Sequence, residues 1–480
     1  MNPLTILIVI ACYFALLFFI SYLAGRKADN AGFFSGNRSS NWLLVAMSTI
    51  GAAISGVTFV SVPGMVATSG WAYMQMVLGF TVGQIIIAYV LIPLYYKFNL
   101  TSIYQYLQQR FGMSTYKSGA WLFFVSKMLG ASVRLFVVGE VLQLLVFGPL
   151  GIPFWVNAIF TVLIVYLCTF KGGVKSLIWT DLLKTCCLIL SVALCIYFVL
   201  RAGVNIDGWT SSDMTRTFFF DNPKEGTYFW KQFLAGIFLV IATTGLDQDL
   251  MQRTLSCKNP RESQKNLIVG AVMQIVVIGL FLFLGFLLYS YANQMGISEV
   301  ANLKGDDVFP FLATGNYFPV IVGVLFIIGF IAAAYSAAGG ALTALTTSFT
   351  VDILNKEKAD NLTKIRTWVH IGMAILMAVC IYVIHLLNDD SVIQTVYKVA
   401  SYTYGPLLGM FCFGIFTKKQ VRDRWIPIAV IAAPVITWII DVNSKEWFNG
   451  YEFSHERLIL NAALTALGML LLIKPSKKQA

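Results

Sequence analysis

Long apolar runs alternate with short polar segments along the whole chain. A helix needs about 20 apolar residues to cross the hydrocarbon core of a bilayer, and most of these runs approach or exceed that length. The pattern therefore predicts thirteen membrane-spanning helices. Their approximate limits are 4–24, 42–69, 71–96, 118–147, 153–170, 174–200, 229–247, 264–293, 316–351, 364–387, 392–416, 425–441 and 456–473.

The composition points to the same class of protein. Of 480 residues, 58% are hydrophobic and only 12% are charged, and the mean hydropathy is +0.74. A soluble domain carries about 25% charged residues and needs a polar surface. These values exclude a soluble enzyme, a nucleic-acid-binding domain and a disordered chain as descriptions of the whole sequence. We expect a single all-α polytopic membrane domain over residues 1–480.

The basic residues are distributed unevenly between the loops. There are 34 basic and 23 acidic residues, for a net charge of +11. With the N-terminus outside, twenty-three basic residues fall in the inside loops, seven in the outside loops and four within spans. Because inside loops of membrane proteins are enriched in Lys and Arg, this predicts an outside N-terminus and a cytoplasmic C-terminus. It also explains the charge without nucleic acid, and nothing indicates an obligate protein partner.

Two of the predicted spans contain helix-breaking sequences. The second holds several Gly and Ser residues and a Pro between Ser48 and Gly64, and the seventh ends in the polar run Ala242–Asp249. Interrupted helices expose backbone groups, which is tolerated only beside protein or a water-filled cavity. Breaks at matching places in two halves indicate a secondary-transporter site. Close helix packing at small residues is the simpler alternative for either span alone.

Six short stretches, taken in order, resemble the sodium/solute symporter family, which includes sodium-coupled sugar, proline, sialic acid, iodide and monocarboxylate transporters. The resemblance implies a LeuT-type fold, a five-plus-five inverted repeat with interrupted first and sixth core helices. It places a leading helix at 4–24, core repeat 1 at 42–200, core repeat 2 at 229–416 and two peripheral helices at 425–473. The stretches are Ile54–Phe59, Ile178–Asp181, Gln252–Leu255 with Gln264 and Lys265 after it, Ala332–Ser336, Ala344–Asp352 and Tyr404–Pro406.

The same resemblance implies a sodium site between core helices 1 and 8. The expected ligands are the backbone carbonyls of Gly51, Ile54 and Ala333 and the hydroxyl of Ser336. A hard cation such as Na+ takes oxygen ligands, many of them carbonyls. Asp181 on core helix 5 is a further candidate, because an intramembrane carboxylate is a functional candidate by default.

The chain departs from the family pattern on core helix 8. The position after Ser336 is usually Ser or Thr and is Ala337 here, and Ala338, Gly339 and Gly340 follow it. Three outcomes stay open: weakened Na+ binding, which we favour, replacement of Na+ by a proton on Asp181, or loss of coupling. A structural ion pair between Asp181 and Lys184, on one helical face, is the simpler interpretation of the aspartate.

Arg134, close to the middle of core helix 3, indicates an anionic solute. A charge at this depth is costly and is usually paired or functional, and the arginine fork suits a planar carboxylate. Lys127 lies about two turns earlier on the same helical face. Glu140 is the visible partner for a structural pair with Arg134, but it falls on nearly the opposite face of the helix.

Other candidates for solute binding are mostly neutral. Where sugar carriers of the family have polar side chains, this chain has Val77 and Phe80 on core helix 2, which argues against a hexose bound in their manner. The further substrate-binding candidates are Thr58, Gln75, Thr243, Gln274 and Lys398.

The sequence therefore predicts a secondary active transporter of the cell inner membrane. It would couple a cation, Na+ before H+, to entry of a small organic anion such as a sialic acid or another carboxylate. The alternatives are a neutral sugar or polyol as solute, and a sodium-independent or proton-coupled carrier of the same fold. An enzyme is not expected, because the three histidines form no metal or triad pattern.

Overall fold

The computed structural model describes residues 3–474, apart from residues 27, 207–208, 388–389, 452 and 454. Within residues 3–6, 57, 145, 211 and 390–401 it describes the backbone but not the side chains. The regular secondary structure of the described part is helical, with two isolated bridges and no β-strand.

Helices occupy all thirteen predicted runs, and several shorter helices connect them. The leading helix is Pro3–Gly25, and the first repeat consists of core helix 1, Trp42–Ala53 with Gly56–Gly64; core helix 2, Tyr73–Ile86 continued by Ile87–Leu91 and Ile92–Lys97; core helix 3, Met113–Leu142; core helix 4, Phe154–Thr169; and core helix 5, Val174–Arg201. The second repeat consists of core helix 6, Phe229–Val240 continued by Ile241–Gly245 and then Gln248–Thr254; core helix 7, Pro260–Gln294; core helix 8, Val320–Ser348 continued by Phe349–Ile353; core helix 9, Leu362–Leu387; and core helix 10, Asp390–Phe416. The peripheral helices are Ile426–Val442 and Arg457–Leu471. The shorter α-helices are Asn30–Ser35, Val66–Ser69, Gln105–Arg110, Gly305–Thr314 and Ser444–Trp447.

The described helices provide fewer full-length spans than the sequence pattern predicts. Eight are long and apolar enough to cross a membrane, and two bent pairs raise the number to ten. The remaining three predicted runs contain shorter apolar helices, Phe154–Thr169, Tyr402–Phe416 and Arg457–Leu471. Their membrane-spanning character stays a prediction.

Core helix 1 breaks where the sequence predicts it. Its halves meet at 65°, and Ile54 and Ser55 between them have extended backbone conformations. The Ser55 hydroxyl accepts a hydrogen bond from the Thr58 N–H at 3.3 Å. This capping contact satisfies a backbone donor that the second half-helix leaves free, so the break is built into the local sequence.

Core helix 6 breaks at Leu246 and Asp247, with an angle of 73° between its halves. The Asp247 carboxylate accepts a hydrogen bond from the Asp249 N–H at 2.9 Å. Two tyrosines donate hydrogen bonds to carbonyls beside the break, Tyr95 to Gly245 at 2.8 Å and Tyr104 to Leu246 at 2.9 Å. These contacts supply hydrogen-bond partners to backbone groups at the break, because the bilayer core offers none.

The packing brings the two broken helices together around one interior region. Core helix 5 packs on core helices 8 and 1, core helix 2 packs on core helix 6, and core helix 7 packs on core helices 1 and 2. Core helix 10 lies between core helix 3 and the peripheral helix Arg457–Leu471. Both helix breaks therefore face the same interior space.

Candidate functional site

A polar cavity of about 300 Å³ lies at the level of the two helix breaks. This volume is at the lower end of the range of small-molecule sites, roughly 300–1,000 Å³. Core helices 1, 2, 3, 6, 7, 8 and 10 all contribute to its wall. Its charged and neutral polar residues are Thr49, Ser55, Thr58, Tyr73, Gln84, Ser126, Lys127, Arg134, Thr243, Thr244, Asp247, Asp249, Asn266, Gln274 and Tyr404.

Arg134 lines this cavity and is exposed there. Within the described residues, its guanidinium has no ion-pair or hydrogen-bond partner. Glu140, the partner that the sequence offers, instead accepts a hydrogen bond from His385 or pairs with it at 2.8 Å. The side chain of Arg134 is thus available to a ligand, although its role in binding stays a prediction.

Six other charged residues form a continuous alternating series, which we call the ion-pair chain. Lys127 lies 3.1 Å from Asp247 and 3.0 Å from Asp249. Arg253 lies 3.1 Å from Asp249 and 2.8 Å from Asp181, so it links these two carboxylates. Lys184 ends the series, 3.2 Å from Asp181. All five distances are between oppositely charged groups, and the chain runs from core helix 3 through core helix 6 to core helix 5.

The charges of the ion-pair chain balance. It contains three carboxylates, Asp181, Asp247 and Asp249, and three basic groups, Lys127, Lys184 and Arg253. Arg134 adds one positive charge without a matching carboxylate. A guanidinium that faces a cavity can donate paired hydrogen bonds to a carboxylate, so the arrangement is compatible with an anionic ligand.

Three neutral candidates from the sequence also line the cavity: Thr58, Thr243 and Gln274. The Gln274 carbonyl oxygen accepts a hydrogen bond from Gln84 at 2.8 Å, and the Thr243 hydroxyl donates to the Leu239 carbonyl at 2.8 Å. The Gln274 amide nitrogen and the lone pairs of the threonine hydroxyls remain able to contact a solute.

Gln75 does not line the cavity, and the expectation for it needs correction. Its amide is fully buried and donates to the carbonyls of Ala72 and Thr227 while accepting from the Phe219 N–H. These contacts anchor the long loop before core helix 6 to core helix 2. Lys398, also predicted to bind solute, falls among the residues whose side chains the structure does not describe.

Three of the five predicted sodium ligands, Gly51, Asp181 and Ser336, lie close together where core helices 1, 5 and 8 meet. A side chain added at Gly51 would collide with Thr185 and approach the Ser336 hydroxyl. The Ser336 hydroxyl donates to Asp181 at 2.9 Å. Ile54 is at the helix break beside the cavity, and Ala333 is buried on core helix 8.

These residues do not fit a sodium ion well. Asp181 is fully buried and receives hydrogen bonds from Ser48 and Ser336 as well as its two ion pairs. With Ala337 in place of a hydroxyl residue, the predicted ligands other than Asp181 are three carbonyls and one hydroxyl. Gly340 has a different role: an added Cβ there would collide with Arg253 and Asp249, so this departure makes room for the ion-pair chain.

Sequence reasoning singled out three members of the ion-pair chain, Lys127, Asp181 and Lys184, and missed the other three. Arg253 lies in one of the family-like stretches, and Asp247 and Asp249 lie in the polar run at the helix break. The signal was present, because each is an ionisable residue inside or beside a predicted span. The ion pair between Asp181 and Lys184 was foreseen as the simpler interpretation, and the structure contains it.

Two interrupted helices around a polar cavity with an available arginine define a membrane transporter of small solutes. Comparison of the sequence with models of known families identifies the family of transporters. A model of the sodium:solute symporter family matches residues 33–423, and the chain belongs to that family. Membership agrees with the prediction of a secondary transporter and not an enzyme.

Known relatives and a solved structure agree with this assignment. Sodium-coupled monocarboxylate transporter 1 of Mus musculus is 27% identical over 416 residues, 83% of this chain and 66% of the mouse protein. Sodium/sialic acid symporter NanT of Aliivibrio fischeri is 25% identical over 455 residues, 89% of this chain and 86% of that protein. A Na+-coupled sialic acid symporter, solved in a substrate-bound outward-open state, shares 18% identity with a TM-score of 0.83 over 98% of each chain. The last likeness confirms the predicted LeuT-type fold.

Proposed function

We propose that this protein is a secondary active transporter that carries a small organic anion across the membrane, with Arg134 binding the anionic group. The observation that supports it best is that Arg134 faces the cavity while the charged residues around it pair with one another. The ion-pair chain is neutral in itself, and the Arg134 guanidinium is exposed to the cavity without a partner in the described part of the chain. A carboxylate accepts two parallel hydrogen bonds from such a group.

The solute we propose is a monocarboxylate or a sialic acid. The named relatives transport solutes of these two kinds, and both carry a carboxylate. Thr58, Thr243 and Gln274 would then contact the hydroxyl or amide groups of the rest of the solute. A neutral sugar or polyol would leave the Arg134 charge unmatched in a confined site, which is unfavourable.

The driving force we propose is an ion gradient, as the sodium-coupled relatives use. Transport would proceed by alternating access around the cavity, with the two half-helices at each break providing the midplane site. Coupling requires that ion and solute each bind more tightly when the other is present. Sodium dependence of the whole cycle is part of this proposal, whereas sodium ligation by the five predicted residues is not.

The experiment is thermal stabilisation of the purified protein by a panel of solutes, each tested in sodium and in choline chloride. The panel comprises lactate, pyruvate, N-acetylneuraminate, glucose and a polyol. A ligand that binds only the folded protein raises its melting temperature by mass action. We expect at least one carboxylate to raise it, more strongly in sodium, and the neutral compounds to leave it unchanged.

Two arginine variants make this test specific. Arg134→Ala should abolish the shift by the carboxylate, while Arg216→Ala, which removes an exposed arginine paired with Asp221 in the outer loop, should keep it. Stabilisation by glucose or the polyol alone, or a carboxylate shift that survives Arg134→Ala, would contradict the proposal.

We also propose that the protein lies in the cell membrane with its N-terminus outside and its C-terminus in the cytoplasm. The excess of basic residues in the predicted inside loops supports this orientation. Labelling of single cysteines placed in the loops around Lys224 and Lys356 by an impermeant thiol reagent would test it. Only the cysteine near Lys224 should react in intact cells.

A further inference from the structure

The Lys184 ammonium lies at the junction where the sodium ligands are predicted. Its nitrogen is 3.2 Å from a carboxylate oxygen of Asp181 and 3.3 Å from the Tyr335 carbonyl oxygen. The Ser336 hydroxyl donates to that same oxygen of Asp181 at 2.9 Å. Lys184 is only 2% exposed, so its positive charge is held inside the protein, between core helices 5 and 8.

Asp181 has no remaining capacity to bind an ion. One oxygen accepts from Lys184 and Ser336, and the other accepts from Arg253 at 2.8 Å and Ser48 at 2.9 Å. A carboxylate offers about four lone-pair positions, and four donors fill them. A sodium ion could gain this carboxylate only by displacing one of its present partners.

The two basic side chains also oppose a third positive charge. Lys184 and Arg253 both contact Asp181, and all three are almost fully buried. Charges interact strongly where water is excluded. A sodium ion entering beside them would be repelled by these two cations, whose charges already neutralise Asp181 and, through Arg253, Asp249.

A buried lysine ammonium can satisfy the same surroundings as a monovalent metal ion. It carries one positive charge and directs three donors at oxygen atoms. Here those oxygens come from a carboxylate and a backbone carbonyl, the ligand types that sodium would use. The ammonium is, however, covalently attached to core helix 5 and cannot leave with a solute.

We propose that Lys184 is a tethered cation that takes the place of a sodium ion at the junction of core helices 1, 5 and 8, and that sodium does not bind there. The inference rests on the proposed function only in that the protein is an ion-driven carrier. It does not depend on which solute is carried. Any sodium that drives transport would bind elsewhere in the molecule.

The test measures sodium binding without any organic solute. Melting temperature and binding of radioactive sodium are followed against sodium concentration, with choline chloride keeping the ionic strength constant. The proteins are the wild type, Ser336→Ala, Lys184→Ala and the Lys184→Ala/Ser336→Ala double variant. We expect Ser336→Ala to leave any sodium response of the wild type unchanged, because Lys184 keeps sodium away from Ser336.

Removal of the ammonium should create a sodium site. Lys184→Ala frees one oxygen position of Asp181 together with the Tyr335 carbonyl, so we expect its half-saturating sodium concentration to be at least about tenfold lower than that of the wild type. Adding Ser336→Ala should remove this gain. Lys184→Arg is the control, because it keeps a positive charge and should respond to sodium as the wild type does.

Two results would overturn the proposal. One is a wild-type sodium response that Ser336→Ala weakens about tenfold or more, since sodium would then bind beside an intact Lys184. The other is a folded Lys184→Ala protein with an unchanged sodium response. If Lys184→Ala does not fold, the comparison of the wild type with Ser336→Ala still decides. Neither result bears on carboxylate binding by Arg134, so the two proposals can fail separately.

Discussion

Two arginines in the membrane domain, Arg134 and Arg253, lie in contrasting surroundings. Arg253 is 0% exposed and forms ion pairs with Asp181 and Asp249, with further hydrogen bonds to the carbonyls of Ser48 and Ser336. Arg134 is exposed to the cavity and is without such a partner in the described residues. Both are costly to place at this depth, but only one has its charge neutralised by the protein.

The difference separates a structural charge from a charge available for binding. Arg253 connects core helices 1, 5, 6 and 8 through its contacts. The Arg134 guanidinium forms no ion pair within the described residues and lines the cavity, where water or a ligand can reach it. Residue type alone therefore predicts function poorly here, and the partner of each charge decides its role.

The strongest way to break this contrast is to truncate both arginines and compare stability. Arg253→Ala leaves two buried carboxylates short of a partner and should cost about 3–5 kcal/mol in the free energy of unfolding. Arg134→Ala should change it by no more than about 0.5 kcal/mol. The two variants are compared with the wild type by fluorescence-detected size-exclusion chromatography and by melting temperature. Equal losses in the two variants would show that Arg134 is structural as well.

Lys127 tests whether the neutrality of the ion-pair chain matters to the anion. It is 13% exposed and is the shared partner of Asp247 and Asp249 beside the cavity. Lys127→Met leaves excess negative charge facing Arg134, so we expect carboxylate affinity to fall about 10–100-fold. Isothermal titration with the carboxylate identified in the solute panel measures this.

The matched control for Lys127 is Lys231, which is also largely buried. Its ammonium lies 3.5 Å from the Glu456 carboxylate, and neither residue lines the cavity. Lys231→Met should leave the carboxylate affinity unchanged. If the two variants weaken binding equally, general destabilisation explains the loss and the electrostatic argument fails.

Gln274 tests the neutral part of the cavity. Its side chain accepts a hydrogen bond from Gln84 and lines the cavity. Gln274→Leu removes about one net hydrogen bond, worth about 1 kcal/mol, and should weaken solute binding about fivefold. Gln143→Leu is the comparison, because Gln143 bonds to the Ile152 carbonyl outside the cavity. An affinity that stays at the wild-type value in Gln274→Leu would remove this residue from the site.

The smallest effect on solute affinity is expected from Gln75. Gln75→Leu should leave carboxylate binding unchanged, because the side chain bonds to Thr227 and Phe219 and not to the cavity. It should loosen the anchored loop, at a local cost of about 1 kcal/mol. Limited proteolysis of the loop and titration of the carboxylate would measure the two effects. A large loss of affinity without faster cleavage would restore Gln75 as a binding residue.

Most of the fold could be predicted from the sequence because its determinants are local. Span length and apolarity are read directly along the chain, and the Gly, Ser and Pro residues of core helix 1 mark its break at Ile54 and Ser55. The fold prediction is confirmed, while the count of thirteen spans is supported by length only for eight to ten. Core helices such as Phe154–Thr169 are shorter than the apolar runs that contain them.

The site could be predicted only in part. Helical periodicity placed Lys127 and Arg134 on one face, and the structure has both in the cavity wall. Periodicity along one helix could not show that Gln75 turns toward a loop while Gln274 turns toward the cavity, because that depends on how core helices 2 and 7 are rotated against their neighbours.

The sequence by itself determined that this is a multi-pass membrane protein with two interrupted helices and an intramembrane arginine. These are properties of single segments, since a span must satisfy its own backbone and bury its own apolar length. Only the tertiary structure decided which charges are neutralised. The six residues of the ion-pair chain come from core helices 3, 5 and 6. They pair because the packing of these helices brings their charged side-chain atoms to within about 3 Å of one another. That same packing leaves Arg134 facing the cavity and brings Lys184 against Asp181 and the Tyr335 carbonyl.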